Sequence, residues 1–309
     1  MKYPLLLKPV LKDYIWGGKK LKTEYGLNAD TENIAEGWML ACHKDGTNVI
    51  LNGKFAGEPF TKALEEWGYG KDFPILIKLL DACDRLSVQV HPNNEYALKN
   101  EGEYGKTEMW YIVDCNEGAT LAYGFKHDIN SDEFRQRIQN NTLDEVINYV
   151  PVKKGDVFFI TAGTLHAIGA GILIAEIQQN SNSTYRISDY GRLGKDGKPR
   201  ELHVDKAVDV TLTQKPTLPY GNIGKTREYA YGTERTLAEC EYFKTSLLNL
   251  NGEKNIYCQS GFVSLLVLDG EITLDYTQTQ FTAKKGDSIF VPNNCDCKIS
   301  GTAQIIYTE

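Results

Sequence analysis

The chain has 309 residues, 41% hydrophobic and 24% charged, enough apolar material for one large or two ordinary globular domains. A net charge of −7 excludes the broad basic face on which nucleic-acid binding depends, but leaves room for an anionic small molecule held by a few local cations. No apolar run reaches the ~20 residues of a membrane span, the start MKYPLLLKPVLKDYIW is too lysine-rich for a secretory signal, and seven scattered cysteines, an odd count, predict reduced thiols in a cytoplasmic protein.

Eighteen tyrosines against three methionines favour strands over a helical bundle. Lys8 to Trp16 reads as extended chain ending at a Gly-Gly turn, and Glu36–Leu40 and Thr47–Leu51 read as paired strands. Glu58 to Trp67 has the pattern of a short amphipathic helix, with Pro59 suited to its first turn. Phe73 to Leu80 is an apolar run leading into LSVQVHPNNEYALKNEGEYGKTEMWYIV, residues 86–113, around which the rest of the chain is organised. Ala119–Phe125 is a further strand. The period then changes: Ser131 is a candidate helix N-cap with Phe134 and Ile138 on one face, and Thr142 begins a second helix through Val146 and Tyr149. This helical insert spans about 128–149. Strands resume at Gly155–Ile160 and Leu173–Gln179, and a third helix falls within Leu202–Leu212. Gln214 to Pro219 reads as a linker, and from Arg227 onward the pattern is short strands. The segment KKGDVFFI at 153–160 recurs as KKGDSIFV at 284–291, a glycine turn feeding an alternating strand. Counted from the shared Gly-Asp, His166 in the first copy falls opposite Cys297 in the second.

Chemistry concentrates in the central stretch. Side chains two apart on a strand share a face, so Gln89 and His91 look into one space while Val88 and Val90 face away; Lys106 and Glu108 pair in the same way on the next strand. Burying such groups without partners costs roughly 1–3 kcal/mol each, more if charged, and a metal ion supplies the partner. A third piece, TAGTLHAIGAG at 161–171, presents His166 on a glycine-flanked turn. Gln89, His91, Glu108 and His166 make a four-ligand set that suits zinc with one open position. Two histidines and a carboxylate also describe an iron oxygenase site, so the ligands alone leave the reaction open. Farther on, Glu176 and Gln178 share a strand face, and Arg186 and Ser188 share the next. Arg186 is a permanent cation able to hold phosphate or a developing oxyanion, or else an arginine paired with Asp189 or Glu176. His43, His127 and His203 have no comparable setting. The Cys295-x-Cys297 pair has no second pair to complete a zinc knuckle.

In this order and spacing, SVQVHPN, GKTEMWYIV, GTLHAIGAG and STYRISDYGR resemble the short bacterial type I mannose-6-phosphate isomerases, as do LKPVLKDYIWGGKKL and ENIAEGWML near the start. The resemblance runs to about Leu212 and is looser beyond. It implies an all-β fold with helical inserts, made of two cupin-type jelly-roll β-barrels: a metal-binding catalytic barrel over 1–215 and a metal-free barrel over 216–309. It also implies one zinc per chain on Gln89, His91, Glu108 and His166, with Arg186 and Lys106 in the active site. One departure is visible: the fuller N-H-K-P-E pattern of longer members is replaced by Gly105-Lys106-Thr107-Glu108, which keeps only the Lys-x-Glu spacing. The expected reaction interconverts mannose 6-phosphate and fructose 6-phosphate by proton transfer through an enediol, with Lys106 and Glu176 as the two candidate bases and a phosphorylated hexose as the partner. The rivals are an iron-dependent cupin dioxygenase and a non-catalytic sugar-binding cupin.

Overall fold

A computed structural model describes residues 2–70, 72–277 and 279–309. Antiparallel sheets dominate. A six-stranded sheet runs, in spatial order, Val157–Ile160, Glu108–Cys115, Ile172–Gln179, Ile75–Ala82, Glu36–Leu40 and Val10–Lys12. A five-stranded sheet runs Ile147–Pro151, Thr120–Phe125, His166–Ala167, Val88–Val90 and Tyr185–Ser188. The two sheets meet face to face, and alternation along each strand sorts the side chains. Trp110 and Ile112 of one sheet pack with Leu121 and Tyr123 of the other. Met109, Tyr111 and Val113 point the opposite way, into a core shared with Leu5, Phe60, Phe290 and Ile306. Both faces of the central strand are therefore buried, which is why it reads as nearly continuous apolar sequence. Each large apolar side chain so buried contributes roughly 1.5–3 kcal/mol.

The nine-stranded sheet is built mainly from the last third of the chain, with Lys244–Tyr257, Phe262–Tyr276 and Asp296–Thr308 at its centre. It also takes in the first strand: Leu5–Lys8 pairs with Ser288–Pro292 on one side and with Val49–Ile50 on the other. The N-terminal segment thus ties the sheet of the last third to the rest. The repeated Lys-Lys-Gly-Asp turns have the same geometry. Gly155 and Gly286 both take φ of 92°, open to glycine but strained for other residues. Asp156 accepts from Lys153 N, and Asp287 from Lys284 N, each at 2.8 Å.

Several local expectations change. Glu36–Leu40 does not pair with Thr47–Leu51; it is an interior strand, buried throughout, between Val10–Lys12 and Ile75–Ala82. Gly46–Thr47 folds back on Cys42–His43 instead, and Val49–Ile50 joins the first strand. The fully buried Asn48 makes this possible, its side chain bonding Ala41 N, Lys8 O and Trp38 O across the gap. The helix of the insert is Ser131–Gln139, capped by Asn130, whose Oδ1 accepts from Glu133 N at 2.8 Å; Ser131 is its first residue and not its cap. The second helix expected from Thr142 is a single 3₁₀ turn, Leu143–Glu145, followed by the strand Ile147–Pro151. Asn141 takes φ of 56°, which breaks helical continuation, and Ile147 reaches the core with Phe125 and Phe134 only from an extended backbone. The helix Val204–Val210 lies where expected, with Ala207 buried.

Candidate metal centre

Sheet register brings the candidates together. Across the five-stranded sheet, Tyr123, His166, Gln89 and Arg186 are neighbours on one rung. Across the six-stranded sheet, Trp38, Lys78, Glu176 and Trp110 form another, with Gln178 opposite Glu108 two residues along. The rungs face each other. Gly105 lets the loop before Glu108 lie against the end of the His91 strand, because a Cβ there would sit 2.4 Å from the carbonyl carbon of Asn93. Gly163 N donates to His91 O at 2.8 Å, joining the two histidine segments directly.

His91, Glu108 and His166 are at most 1% exposed, and their ligand atoms lie within 4.8 Å of one another. His91 Nδ1 faces Ser183 O at 2.9 Å and His166 Nδ1 faces Thr164 O at 2.8 Å. A nitrogen facing a carbonyl oxygen is the protonated one, so in both neutral rings Nε2 carries the free lone pair. Those Nε2 atoms stand 3.7 and 3.5 Å from the two Glu108 oxygens, too far for hydrogen bonds. His91 Nε2 and Glu108 Oε1 have no hydrogen-bond partner, and the polar contact of Glu108 Oε2 is the Lys106 ammonium. Three buried acceptors converging on one point, each ring oriented by a backbone carbonyl, is the donor set and outer support of a divalent metal site. Gln89 stands at its edge, Nε2 3.3 Å from His166 Nε2; rotation of the amide would turn its oxygen to the same point.

Lys106 Nζ approaches Glu108 Oε2 at 2.7 Å and Glu176 Oε1 at 3.6 Å. Lys78 Nζ lies 3.2 Å from Glu176 Oε1 and 3.7 Å from Glu36 Oε2. Trp110 Nε1 donates to Glu176 Oε2 at 2.9 Å. Burial works to raise the Glu176 pKa, but the Lys106 and Lys78 ammoniums outweigh it and hold the carboxyl well below its usual range. Burial, then the Glu176 charge, pushes Glu108 upward. Burial, aided by Lys106, lowers His91 well below the usual histidine range and His166 to about 4, so both rings are neutral and fit to ligate at physiological pH.

A cleft of about 260 Å³ opens onto these groups, lined by Gln89, Lys106, Glu176 and Arg186. Arg186 pairs with neither Asp189 nor Glu176: its Nη1 donates to Glu201 O at 2.9 Å and its Nε is buried without a partner. Asp189 is engaged by Arg192 and Arg200. The cleft also contains Lys78, Glu36 and Arg200, which sequence reasoning did not single out. Lys78 did carry a signal, a lone cation inside the apolar run FPILIKLL. Among the described residues no second cluster of histidine, cysteine and carboxylate ligands occurs, and Cys295 and Cys297 lie buried in the apolar core of the nine-stranded sheet.

A family model described as the catalytic domain of type I phosphomannose isomerase matches residues 5–123, and one described as the cupin domain of mannose-6-phosphate isomerase matches 233–309. The chain is 38% identical to mannose-6-phosphate isomerase ManA of Bacillus subtilis, covering 99% of this chain and 98% of the relative. It is 37% identical to the mannose-6-phosphate isomerase of Streptococcus mutans, covering 95% and 93%. The crystal structure of a mannose 6-phosphate isomerase from Bacillus subtilis superposes with a TM-score of 0.93 at 35% identity, covering all of both chains. A mutant phosphomannose isomerase from Salmonella typhimurium, 18% identical and covering 99% of both chains, shares the fold with a TM-score of 0.77. Full-length similarity at this identity, on a β-rich fold with a buried His-Glu-His centre, places the chain in the type I mannose-6-phosphate isomerase family.

Proposed function

We propose that the protein interconverts mannose 6-phosphate and fructose 6-phosphate at a zinc site formed by Gln89, His91, Glu108 and His166. The observation that carries this reading is the convergence of buried His91, Glu108 and His166, with His91 Nε2 and Glu108 Oε1 unpartnered, at the floor of a cation-lined cleft. When bound, zinc supplies redox-inert Lewis acidity for the sugar carbonyl. The chain's own groups do the rest. Isomerisation moves a proton between C1 and C2 through an enediol, and a positioned proton carrier contributes typically ~10²–10⁴-fold. Glu176, held low by two ammoniums, is a weak proton acceptor. In this reading the neutral amine of Lys106 takes the proton from one carbon and the ammonium so formed returns it to the other, while Glu176 and Glu108 position it. Arg186 has donors free toward the cleft and stabilises the anionic oxygens of the enediolate or the phosphate.

The reading divides the chain into a catalytic portion over 1–215 and a metal-free portion over 216–309; the ligand cluster lies in the first. The partner is a phosphorylated hexose, with no part for nucleic acid or membrane; no helix of the described residues is long and apolar enough to cross a bilayer. A cytoplasmic setting accords with seven cysteines outside any disulfide. The test is a coupled assay from mannose 6-phosphate to fructose 6-phosphate, before and after chelation. Turnover that disappears on metal removal and returns with zinc is expected. Turnover indifferent to exhaustive chelation, or oxygen consumption in its place, would overturn the reading.

A further inference from the structure

The residues nearest the metal centre do not explain what holds His91 in place. Its Nδ1–H donates to the carbonyl of Ser183, which belongs to the turn Ser181-Asn182-Ser183 and not to a strand. A ring aimed by a turn is only as well placed as the turn itself. The turn is fastened from outside by Glu103, in the loop between the helix Asn94–Asn100 and the strand Glu108–Cys115, with Asp45 Oδ2 accepting from Asn182 Nδ2 at 2.9 Å at its tip. Glu103 Oε2 accepts from Ser183 Oγ at 2.8 Å and from Asn182 N at 3.3 Å. Glu103 Oε1 lies 2.6 Å from His43 Nε2. His43 Nδ1 accepts from Asp45 N at 3.1 Å, so its Nε2 carries the proton and donates to Glu103. His43 is itself buried, its ring against that of Trp38. On the inner side, Gln178 Nε2 donates to Ser181 O at 2.7 Å. Asn182 and Thr184 at this turn also line the cleft.

We propose that Glu103 is the positioning residue of the metal centre, locking the Ser181–Ser183 turn between His43 and the Ser183 carbonyl so that His91 Nε2 stays aimed at the metal. The proposal rests on the zinc-isomerase reading above. It makes His43 part of the site's support, three hydrogen bonds from His91, and it couples metal retention to the cleft wall that Asn182 and Thr184 form. Outer partners that orient a ligating histidine typically change metal affinity ~10–100-fold when removed.

The experiment titrates the metal-free full-length protein with cobalt(II), reading both affinity and visible absorption, on wild type and on Glu103→Ala, Glu103→Gln, Ser183→Ala and Glu101→Gln. Glu101 sits two residues away and engages Tyr185 and Lys206, not the turn. Glu103→Ala is expected to bind cobalt at least about tenfold more weakly, with an altered spectrum. Glu103→Gln, keeping one acceptor oxygen, should fall between, and Ser183→Ala should lose part of the effect's size. Glu101→Gln should bind as wild type does. In steady state Glu103→Ala should also raise KM for mannose 6-phosphate at saturating metal. If Glu103→Ala does not fold, Glu103→Gln and Ser183→Ala carry the same comparison. Wild-type affinity and spectrum in the Glu103 and Ser183 variants, or an equal loss in Glu101→Gln, would overturn the positioning role while an active wild type leaves the isomerase reading standing. A wild type that neither binds cobalt nor isomerises would overturn both.

Discussion

Lys78 Nζ lies 3.2 Å from Glu176 Oε1, flanked on its strand by Ile77 and Leu79, and both side chains are 4% exposed. Burial works against the ammonium, but Glu36 and Glu176 outweigh it and keep Lys78 charged. The pair fixes the charge of the cleft floor without touching the metal ligands. Replacing Lys78 by Met leaves Glu176 and Glu36 buried without this cation, and breaking a buried pair from one side costs ~3–5 kcal/mol. Chemical denaturation should show a loss of that order in Lys78→Met, with part of it recovered in Lys78→Met combined with Glu176→Gln. Unchanged stability in the single variant would show that the pair is not holding the floor together.

Arg186 separates an enzyme from a binding protein. Its guanidinium is anchored by one bond to Glu201 O, its Nε is buried without a partner, and the side chain lines the cleft. If it stabilises the enediolate, Arg186→Ala should lower turnover by ~10²–10³, or roughly 2.7–4 kcal/mol, with metal content unchanged. If it holds the phosphate alone, KM rises and turnover stays. Arg186→Lys should rescue poorly, since a point charge lacks the planar fork. Wild-type kinetics in both variants would remove Arg186 from the site.

Asp189 carries a pH signature. Burial works to raise its carboxyl, but hydrogen bonds from Arg200 and Arg192 outweigh it and hold the pKa below the usual value. A folded pKa below the unfolded one means a stabilising contribution that is complete above the ordinary carboxylate range and is lost as pH falls through it. The stability advantage of wild type over Asp189→Asn should stay constant from neutral pH to about pH 5 and shrink toward pH 3, by thermal unfolding across that range. An advantage that grew on acidification would contradict the sign.

The C-x-C pair should be dispensable. Cys295 is 1% exposed and Cys297 6%, both packed with Ile256, Ile299 and Val263. Cys295→Ser with Cys297→Ser should leave metal content and turnover intact. Loss of zinc in that variant would make the pair a ligand site.

The cluster of His91, Glu108 and His166 was legible in the sequence because strands have a two-residue period: His91 shares a face with Gln89, Glu108 sits on the next strand, and His166 stands on a glycine turn. What escaped were relationships fixed by register between distant strands. Lys78 meets Glu176 only because Ile75–Ala82 pairs with Ile172–Gln179 in one particular alignment. Pairing of Glu36–Leu40 with its neighbour in sequence was the natural local reading, and the buried Asn48 overrode it with side-chain bonds that propensity does not encode. The helix expected from Thr142 failed for a related reason: burial of Ile147 beside Phe125 and Phe134 decided the backbone, and the apolar spacing alone fits helix and strand alike.

Metal content and isomerase turnover, measured together on wild type and His91→Ala, test the central claim most directly. Wild type should carry close to one zinc per chain and convert mannose 6-phosphate to fructose 6-phosphate. His91→Ala, deprived of a buried ligand but folded by the same sheets, should carry none and convert none. Zinc retained in His91→Ala, or turnover that survives its loss, would contradict the account.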